Sequence, residues 1–347
     1  MTLYRMWSAP APDMHSVYID ITRECPLRCD FCMYRDKRSR TRLPIVDTRY
    51  AIGSFISHSD VSRVTISGEG EPLSHPDLPL LLEMAPNACV ATSGAASEQT
   101  VKRVLGYPVD LRVSLDSFHI AQLGMTHYES LLRTALGSAA TVSLRSLLEE
   151  RETMLPIALD MIRRAGHVVS DVRHGVLEDD ITLEDRNVRV VYRNMVDPAD
   201  GKSTLDEYLR LLEISRGVPF TLGNRTPAGN GMSITIKPDS TIEFYGAETQ
   251  VHGVERYGSG ANDTMLFNLS IERMKTVLES SPIILGLYTV PFRDVIAELR
   301  NDPVSRSIIE RTNNPYWIVR RIPAHTMLSA LASASGSYYP QPPSPPS

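Results

Sequence analysis

Short apolar runs rich in β-branched residues alternate with helix-forming segments from residue 16 to about residue 195 of this 347-residue chain. The predicted strands are 17–22, 63–67, 88–92, 110–115, 140–145 and 168–173. The predicted helices are 47–58, 97–106, 126–137 and 153–165. Such alternation builds βαβ units and a parallel sheet, whose functional loops follow the carboxyl ends of the strands. The pattern therefore predicts an α/β fold with its site at one edge of the sheet.

Three cysteines follow the first predicted strand on one short loop. Cys25, Cys29 and Cys32 have the spacing C-x3-C-x2-C, and the chain has one further cysteine, Cys89. An all-cysteine site favours iron–sulfur or zinc chemistry, and a closed structural site has four protein ligands. Three thiolates therefore indicate a [4Fe–4S] cluster with one iron open to a ligand from outside the protein. A zinc site completed by Cys89 or a distant histidine is the alternative interpretation.

The spacing, with the aromatic Phe31 before the last cysteine, resembles the cluster loop of the radical S-adenosylmethionine (SAM) superfamily. The resemblance implies that the three cysteines hold one [4Fe–4S] cluster, that SAM chelates its fourth iron and that Phe31 belongs to the cofactor-binding loop. It implies cleavage of SAM to a 5′-deoxyadenosyl radical that abstracts hydrogen from a substrate. It also implies a partial (β/α)6 TIM-like barrel, which the predicted strands and helices match, and a flavodoxin- or ferredoxin-type electron donor.

A Gly-Glu-Pro loop, Gly70, Glu71 and Pro72, follows the second predicted strand. Glycine lets the backbone approach a ligand closely, and a carboxylate accepts hydrogen bonds from an ammonium group. The loop resembles the G-G-E-P loop of the family, and the resemblance implies that it binds the methionine amino group of SAM. Alone, such a loop indicates only a turn, so its weight comes from its position about forty residues after the cysteine loop.

Three more residues are candidates for contact with SAM or substrate. Ser114 and Asp116 end the fourth predicted strand, and the period of two places them on the same face. In the family the corresponding strand carries residues near SAM. Arg145 ends the fifth predicted strand and is a candidate partner for a carboxylate of SAM or substrate. The alternatives are a polar cap for the first two residues and a surface position for the arginine.

A hairpin is predicted at 232–237 and 241–245 around a Pro-Asp-Ser turn. Its shape resembles the C-terminal extension called SPASM or twitch, so residues 217–335 are predicted to form a degenerate extension that covers the substrate, with helices at 271–280 and 290–301. No cysteine follows Cys89, and the extension is therefore predicted to hold no auxiliary cluster. Tyr245, Glu248 and His252 are candidates to face the substrate, with surface or hairpin packing as the alternative.

The remaining predicted segments are an N-terminal segment at 1–15, the barrel at 16–216 and a disordered proline-rich tail at 336–347. Without auxiliary clusters, a redox-neutral outcome such as epimerisation or elimination is favoured. Epimerisation needs a hydrogen donor, and Cys89 is the spare thiol, although free cysteines are commonly buried structural residues.

The expected substrate is a small hydroxylated natural-product intermediate (a sugar, aminoglycoside or nucleoside), because the cluster loop begins at residue 25 with no leader-binding domain before it. Modification of a ribosomal peptide is one alternative. A non-catalytic iron–sulfur sensor or electron carrier is an alternative of another class.

The charge and composition of the chain limit the classes of partner that are expected. The net charge of −5 gives no electrostatic reason to expect nucleic acid. No apolar stretch approaches the ~18 residues of a membrane helix, and no signal peptide is recognisable. The basic run 35–42 is interpreted as a solvated face, with docking of an acidic electron donor as the alternative. Thiols that bind iron indicate a reducing cytoplasm.

Overall fold

The structure is a computed structural model that describes residues 13–29, 32, 34, 38–193, 204–222, 231–244, 272, 282–312 and 314–336. Its strands are β1 Asp13–Asp20, β2 Arg63–Ser67, β3 Cys89–Thr92, β4 Asp110–Ser114, β5 Thr141–Leu147, β6 Val169–His174, β7 Glu178–Leu183, β8 Asn187–Arg193, β9 Gly231–Ile236 and β10 Ile242–Phe244. Within the described residues these strands form one sheet in the order β10-β9-β1-β2-β3-β4-β5-β8-β7-β6.

Twelve α-helices lie in the described part of the chain, and some of them begin or end at recognisable signals. They are α1 Ile45–Ile56, α2 Leu78–Met84, α3 Glu98–Val104, α4 Ser117–Leu123, α5 Met125–Leu136, α6 Arg151–Arg164, α7 Leu205–Arg216, α8 Pro282–Thr289, α9 Phe292–Leu299, α10 Pro303–Ile309, α11 Pro315–Arg321 and α12 Ala324–Gly336. The side chains of Ser97, Asp116 and Thr204 cap α3, α4 and α7 by accepting a backbone N–H of the first turn. Gly217 ends α7 in the left-handed conformation, where glycine carries no steric cost.

Strands β1 to β5 pair in parallel and in sequence order, and β8 pairs in parallel with β5. Helices lie between successive members of this set along the chain. Neighbouring parallel strands joined by right-handed crossovers place their helices on one face of the sheet, as in a barrel. The predicted partial (β/α)6 barrel is therefore confirmed, as are the four predicted helices, within one or two residues at each end.

The sixth parallel strand is β8, and the prediction that 168–173 fills this position was wrong. That run forms β6, which pairs antiparallel with β7 at the far edge, and β7 pairs antiparallel with β8. In β6 most residues are exposed, whereas β8 buries Val188, Val190 and Tyr192. A short β-branched run has the same local pattern in both settings, and only its pairing partners distinguish an edge strand from a central one.

The parallel part of the sheet has one apolar and one polar face. The apolar face joins the core under the helices through Val17, Ile19, Ile66, Val90, Leu111, Val113, Val142, Leu144, Val188, Val190, Ile234 and Ile236. The strand registers place on the other face Ser16, Tyr18, Asp20, Thr65, Ser67, Cys89, Asp110, Arg112, Ser114, Ser143, Arg145, Arg189 and Thr235. Parallel strands are usually apolar on both sides, so the polar face indicates a ligand-binding interior.

The predicted hairpin is present as β9 and β10, and β9 pairs in parallel with β1. The hairpin thus adds two strands to the barrel sheet, next to β1, the strand that leads into the cysteine loop. Farther along, Leu222 and Phe220 bond through their backbones to Leu287 and Phe292, which joins the segment after α7 to helices α8 and α9. Most of the predicted helix 271–280, and residues 337–347 of the tail, lie outside the described residues. No helix in the described part of the chain is long and apolar enough to span a bilayer.

Candidate functional site

The three cysteines lie on the loop that leaves the carboxyl end of β1. Cys29 is buried and Cys25 and Cys32 are half-buried, and the N–H of Cys32 donates to the carbonyl of Cys29 at 3.2 Å. Burial raises the pKa of the Cys25 thiol, and a hydrogen bond from the Leu27 N–H partly offsets that rise. Phe31 lies outside the described residues.

The donor set of this loop fits a cluster rather than a single ion. Among the side chains that the structure describes, no three or more of His, Cys, Asp or Glu converge on one metal position. In a cubane each thiolate binds its own iron, so three thiols on one loop need not converge. Thiolate is also the ligand that iron–sulfur chemistry requires.

The Gly-Glu-Pro loop is bound to the base of the cysteine loop. The N–H of Gly70 donates to the Thr22 carbonyl at 2.8 Å, and the N–H of Glu71 donates to the Glu24 carbonyl at 2.7 Å. A Cβ at position 70 would lie 2.0 Å from the Glu24 carbonyl oxygen. Only glycine permits this approach. Backbone hydrogen bonds thus join the Gly-Glu-Pro loop to the segment that immediately precedes Cys25.

The Glu71 carboxylate is buried and fully hydrogen-bonded. Its Oε1 accepts from the Leu73 N–H at 2.9 Å and the Thr92 hydroxyl at 2.6 Å. Its Oε2 accepts from the Ser93 N–H at 2.8 Å and from the Ser93 hydroxyl. A carboxylate offers about four lone-pair sites, and four donors fill them here. Glu71 therefore ties the carboxyl end of β3 to the loop that Pro72 continues as a short 3-10 turn.

Glu69 is a buried acid that the sequence patterns do not single out. It stands where the G-G-E-P loop of the family has its first glycine, and its side chain is 0% exposed. Arg23 Nε donates to its Oε2, and Lys237 Nζ lies 2.9 Å from its Oε1. Lys237 also donates to Asp20 Oδ2 at 2.9 Å. In the sequence, Glu69 could have been noticed because it replaces a glycine of the G-G-E-P pattern. Its partner Lys237 could not, because it lies 168 residues further along the chain.

A second unpredicted group contacts the cysteine loop from α4. His119 Nδ1 lies 2.7 Å from Asp116 Oδ2, and its Nε2 lies 3.6 Å from Cys29 Sγ. Gln122 Nε2 lies 3.6 Å from the same sulfur. Burial lowers the pKa of His119, but its hydrogen bonds with Asp116 and Cys29 outweigh burial and raise that pKa to about 10. The predicted Asp116 is thus brought to the site as the partner of a histidine.

Ser114 and Arg145 are register partners on the polar face of β4 and β5. Burial raises the pKa values of Cys89 and Asp110, and the charge of Arg145 partly offsets both rises. The Ser114 carbonyl accepts a hydrogen bond from the Tyr128 hydroxyl at 3.0 Å.

Cys89 is the first residue of β3 and is buried. Burial, and next the Asp110 charge, raise its pKa to about 12. At roughly 3.3 Å per residue, Cys89 lies about 10 Å along the strand from Thr92, which contacts Glu71. The hydrogen-donor role of Cys89 stays a prediction, and Tyr245, Glu248 and His252 lie outside the described residues.

No family model matches the chain. A curated relative, the GTP 3′,8-cyclase of Chlorobaculum tepidum, is 29% identical over 109 residues, which cover 29% of this chain and 32% of the relative. The chain thus matches about a third of the length of that relative. Among solved structures, anSMEcpe with bound AdoMet and Cp18Cys peptide has a TM-score of 0.47 at 12% identity, covering 94% of this chain and 99% of that one. Streptococcus suis SuiB bound to precursor peptide SuiA has a TM-score of 0.43 at 12% identity, covering 69% and 61%.

Proposed function

We propose that the chain, which belongs to the radical SAM superfamily, uses one [4Fe–4S] cluster and SAM to generate a 5′-deoxyadenosyl radical. This radical would abstract hydrogen from a polar substrate. The observation that carries the proposal is the contact at Gly70, where the loop expected to bind SAM is joined by its backbone to the loop of the three cysteines. The polar face of the sheet provides the interior surface for the substrate.

Five of the candidate site residues have a defined task in this proposal. Cys25, Cys29 and Cys32 would hold the cluster. When bound, the cluster and SAM supply the radical. Glu71 holds the loop in place, because its carboxylate is already filled by four donors. Arg145 is the partner proposed for a carboxylate of SAM or substrate.

We propose a small hydroxylated substrate and a redox-neutral outcome, epimerisation or elimination. The support is the polar face, where hydroxyl and charged side chains alternate with the apolar core positions. The name of the curated relative points to a nucleotide, which is a molecule of this kind. A ribosomal peptide is the competing substrate class, since two of the similar solved structures contain a bound peptide.

The decisive experiment is anaerobic reconstitution with iron and sulfide, reduction with dithionite, and measurement of 5′-deoxyadenosine and methionine after SAM is added. Wild type should form both products. Cys32→Ala should form neither, and Cys89→Ala should resemble wild type, because Cys89 is outside the cysteine loop. A reduced cluster that yields no 5′-deoxyadenosine with any candidate substrate would favour the sensor or electron-carrier function. Replacing dithionite by a flavodoxin or ferredoxin tests the proposed electron donor.

The substrate class is tested in parallel incubations with hydroxylated small molecules, including nucleosides and aminoglycosides, and with peptides. The proposed class should raise the 5′-deoxyadenosine yield, and deuterium placed on the substrate should appear in that product. Stimulation by peptides alone would replace the small-molecule proposal.

For epimerisation, the reaction in deuterated water should label the product, and undiminished label with Cys89→Ala would exclude Cys89 as the donor.

A further inference from the structure

Two side-chain nitrogens from α4 converge on the sulfur of one cysteine in the cysteine loop. His119 Nε2 and Gln122 Nε2 each lie 3.6 Å from Cys29 Sγ. This sulfur belongs to a buried residue, whereas Cys25 and Cys32 are half-buried. The convergence is specific to the middle cysteine, since the described contacts of the other two sulfurs include no side-chain donor.

Both nitrogens are held in place by a second contact. Asp116 Oδ2 binds His119 Nδ1 at 2.7 Å, and Asp116 Oδ1 accepts the His119 N–H at 3.0 Å as the cap of α4. The Arg28 N–H donates to Gln122 Oε1 at 2.8 Å, which turns the amide NH2 towards the sulfur. The donors are therefore preorganised, because the cap that starts α4 also orients the imidazole.

Hydrogen bonds to the sulfurs of an iron–sulfur cluster are one of the quantities that set its reduction potential. They withdraw negative charge from the thiolate and so favour the reduced form, which carries one more electron. Partners of this kind commonly tune a metal site without binding the metal. The effect is larger in a buried position, where the local dielectric constant is low.

We propose that His119 and Gln122 are positioning residues that hydrogen-bond the Cys29 ligand and raise the reduction potential of the cluster, with Asp116 orienting the histidine. The proposal rests on the proposed function only in that Cys29 binds a cluster. It assigns α4 a role in making the cluster reducible by a biological electron donor.

The test is a reductive titration of the reconstituted wild type and of the variants His119→Phe, His119→Gln and Gln122→Leu, followed by electron paramagnetic resonance, without SAM or substrate. His119→Phe should lower the equilibrium constant for one-electron reduction about tenfold, equivalent to about 59 mV. Gln122→Leu should lower it by a smaller factor. His119→Gln keeps an N–H donor and should recover part of the loss.

His127→Gln is the matched control, because His127 bonds a backbone carbonyl, that of Gly94 at 2.8 Å, and touches no cysteine. Its potential should equal that of wild type. Unchanged potentials in both His119→Phe and Gln122→Leu, with wild-type iron content, would overturn the proposal. Failure of all three α4 variants to retain a cluster would also overturn it and assign the residues to cluster assembly. A wild-type cluster that does not cleave SAM would defeat the proposed function but leave this comparison of potentials intact.

Discussion

The two ends of the polar face of one sheet differ in the sign of their charge. The carboxyl end carries the acids Asp20, Glu69, Glu71 and Asp239 against the cations Arg23 and Lys237. The amino end carries Asp110 and the thiol Cys89. Burial raises the pKa values of both groups, and the charges of Arg63 and Arg145 partly offset these rises. Arg112 also donates to Asp110, at 2.6 and 2.9 Å.

One acid of each end, Glu71 and Asp110, has partners of a different kind. Glu71 is held by backbone N–H groups and hydroxyls, which are neutral and leave its negative charge uncancelled. Asp110 is held by an arginine, which cancels its charge. A ligand with an ammonium and a sulfonium group, such as SAM, is therefore favoured at the carboxyl end and disfavoured at the amino end. Topology places the cysteine loop at the carboxyl end as well.

Lys237→Met would disturb the carboxyl end most. The substitution leaves Asp20 and Glu69 buried without their shared cation, and loss of one partner from a buried ion pair costs about 3–5 kcal/mol. Urea unfolding should show this decrease in the free energy of unfolding. Arg300→Met, which removes an exposed ion pair with Asp206, is the control and should change it by less than about 1 kcal/mol. Equal effects would show that the buried network contributes no more than a surface pair.

Gly70→Ala should separate the two loops that meet at the carboxyl end. The added Cβ overlaps the Glu24 carbonyl, so the cysteine loop or the Gly-Glu-Pro loop must move. A displacement of about 1 Å commonly lowers a rate about 100-fold, and we expect this loss in SAM cleavage. Gly53→Ala in α1 is the control, because its Cβ would meet only Met84 Sδ at 3.5 Å. Wild-type SAM cleavage by Gly70→Ala would show that the close approach is dispensable.

Glu71→Gln and Asp110→Asn compare the two ends directly. The glutamine presents an NH2 group to donors that need acceptors, and hydrogen bonds to a charged group contribute about 1.5–3 kcal/mol. Glu71→Gln should therefore lower the free energy of unfolding by about 2 kcal/mol. Asp110 is more exposed, so Asp110→Asn should cost less than about 1 kcal/mol. Denaturant titration of both variants measures the difference, and the reverse order would contradict the comparison.

The smallest expected effect is the slow alkylation of the Cys89 thiol at the amino end of the polar face. Its pKa of about 12 leaves little thiolate at pH 8, whereas an ordinary cysteine has a pKa of about 8.5. In a variant with Cys25, Cys29 and Cys32 changed to alanine, iodoacetamide should label Cys89 only after unfolding in guanidinium. The raised pKa also stabilises the fold below about pH 8.5, and this contribution is lost as the pH rises towards 12. Rapid labelling of the folded protein at pH 8 would contradict the burial of this thiol.

Local sequence patterns predicted most elements of the barrel and the chemistry proposed for the site. The alternation of strands and helices, the spacing of Cys25, Cys29 and Cys32, and the glycine at position 70 are features of neighbouring residues. Strand and helix propensity, ligand chemistry and backbone sterics act over such short distances. These features therefore predicted the fold class, the cofactor chemistry and the place of the loops at the carboxyl ends of the strands.

Only the tertiary structure determined which residues meet across long separations. In the folded sheet β8, and not β6, is the sixth parallel strand, and β9 lies beside β1. Folding also brought Lys237 to Asp20, 217 positions away, and His119 to Cys29, 90 positions away. The residues next to a given residue in the sequence do not predict such partners, because the packing of the whole sheet and its helices determines them. Spacing predicted the ligands of the cluster, and folding supplied the charges and hydrogen bonds around them.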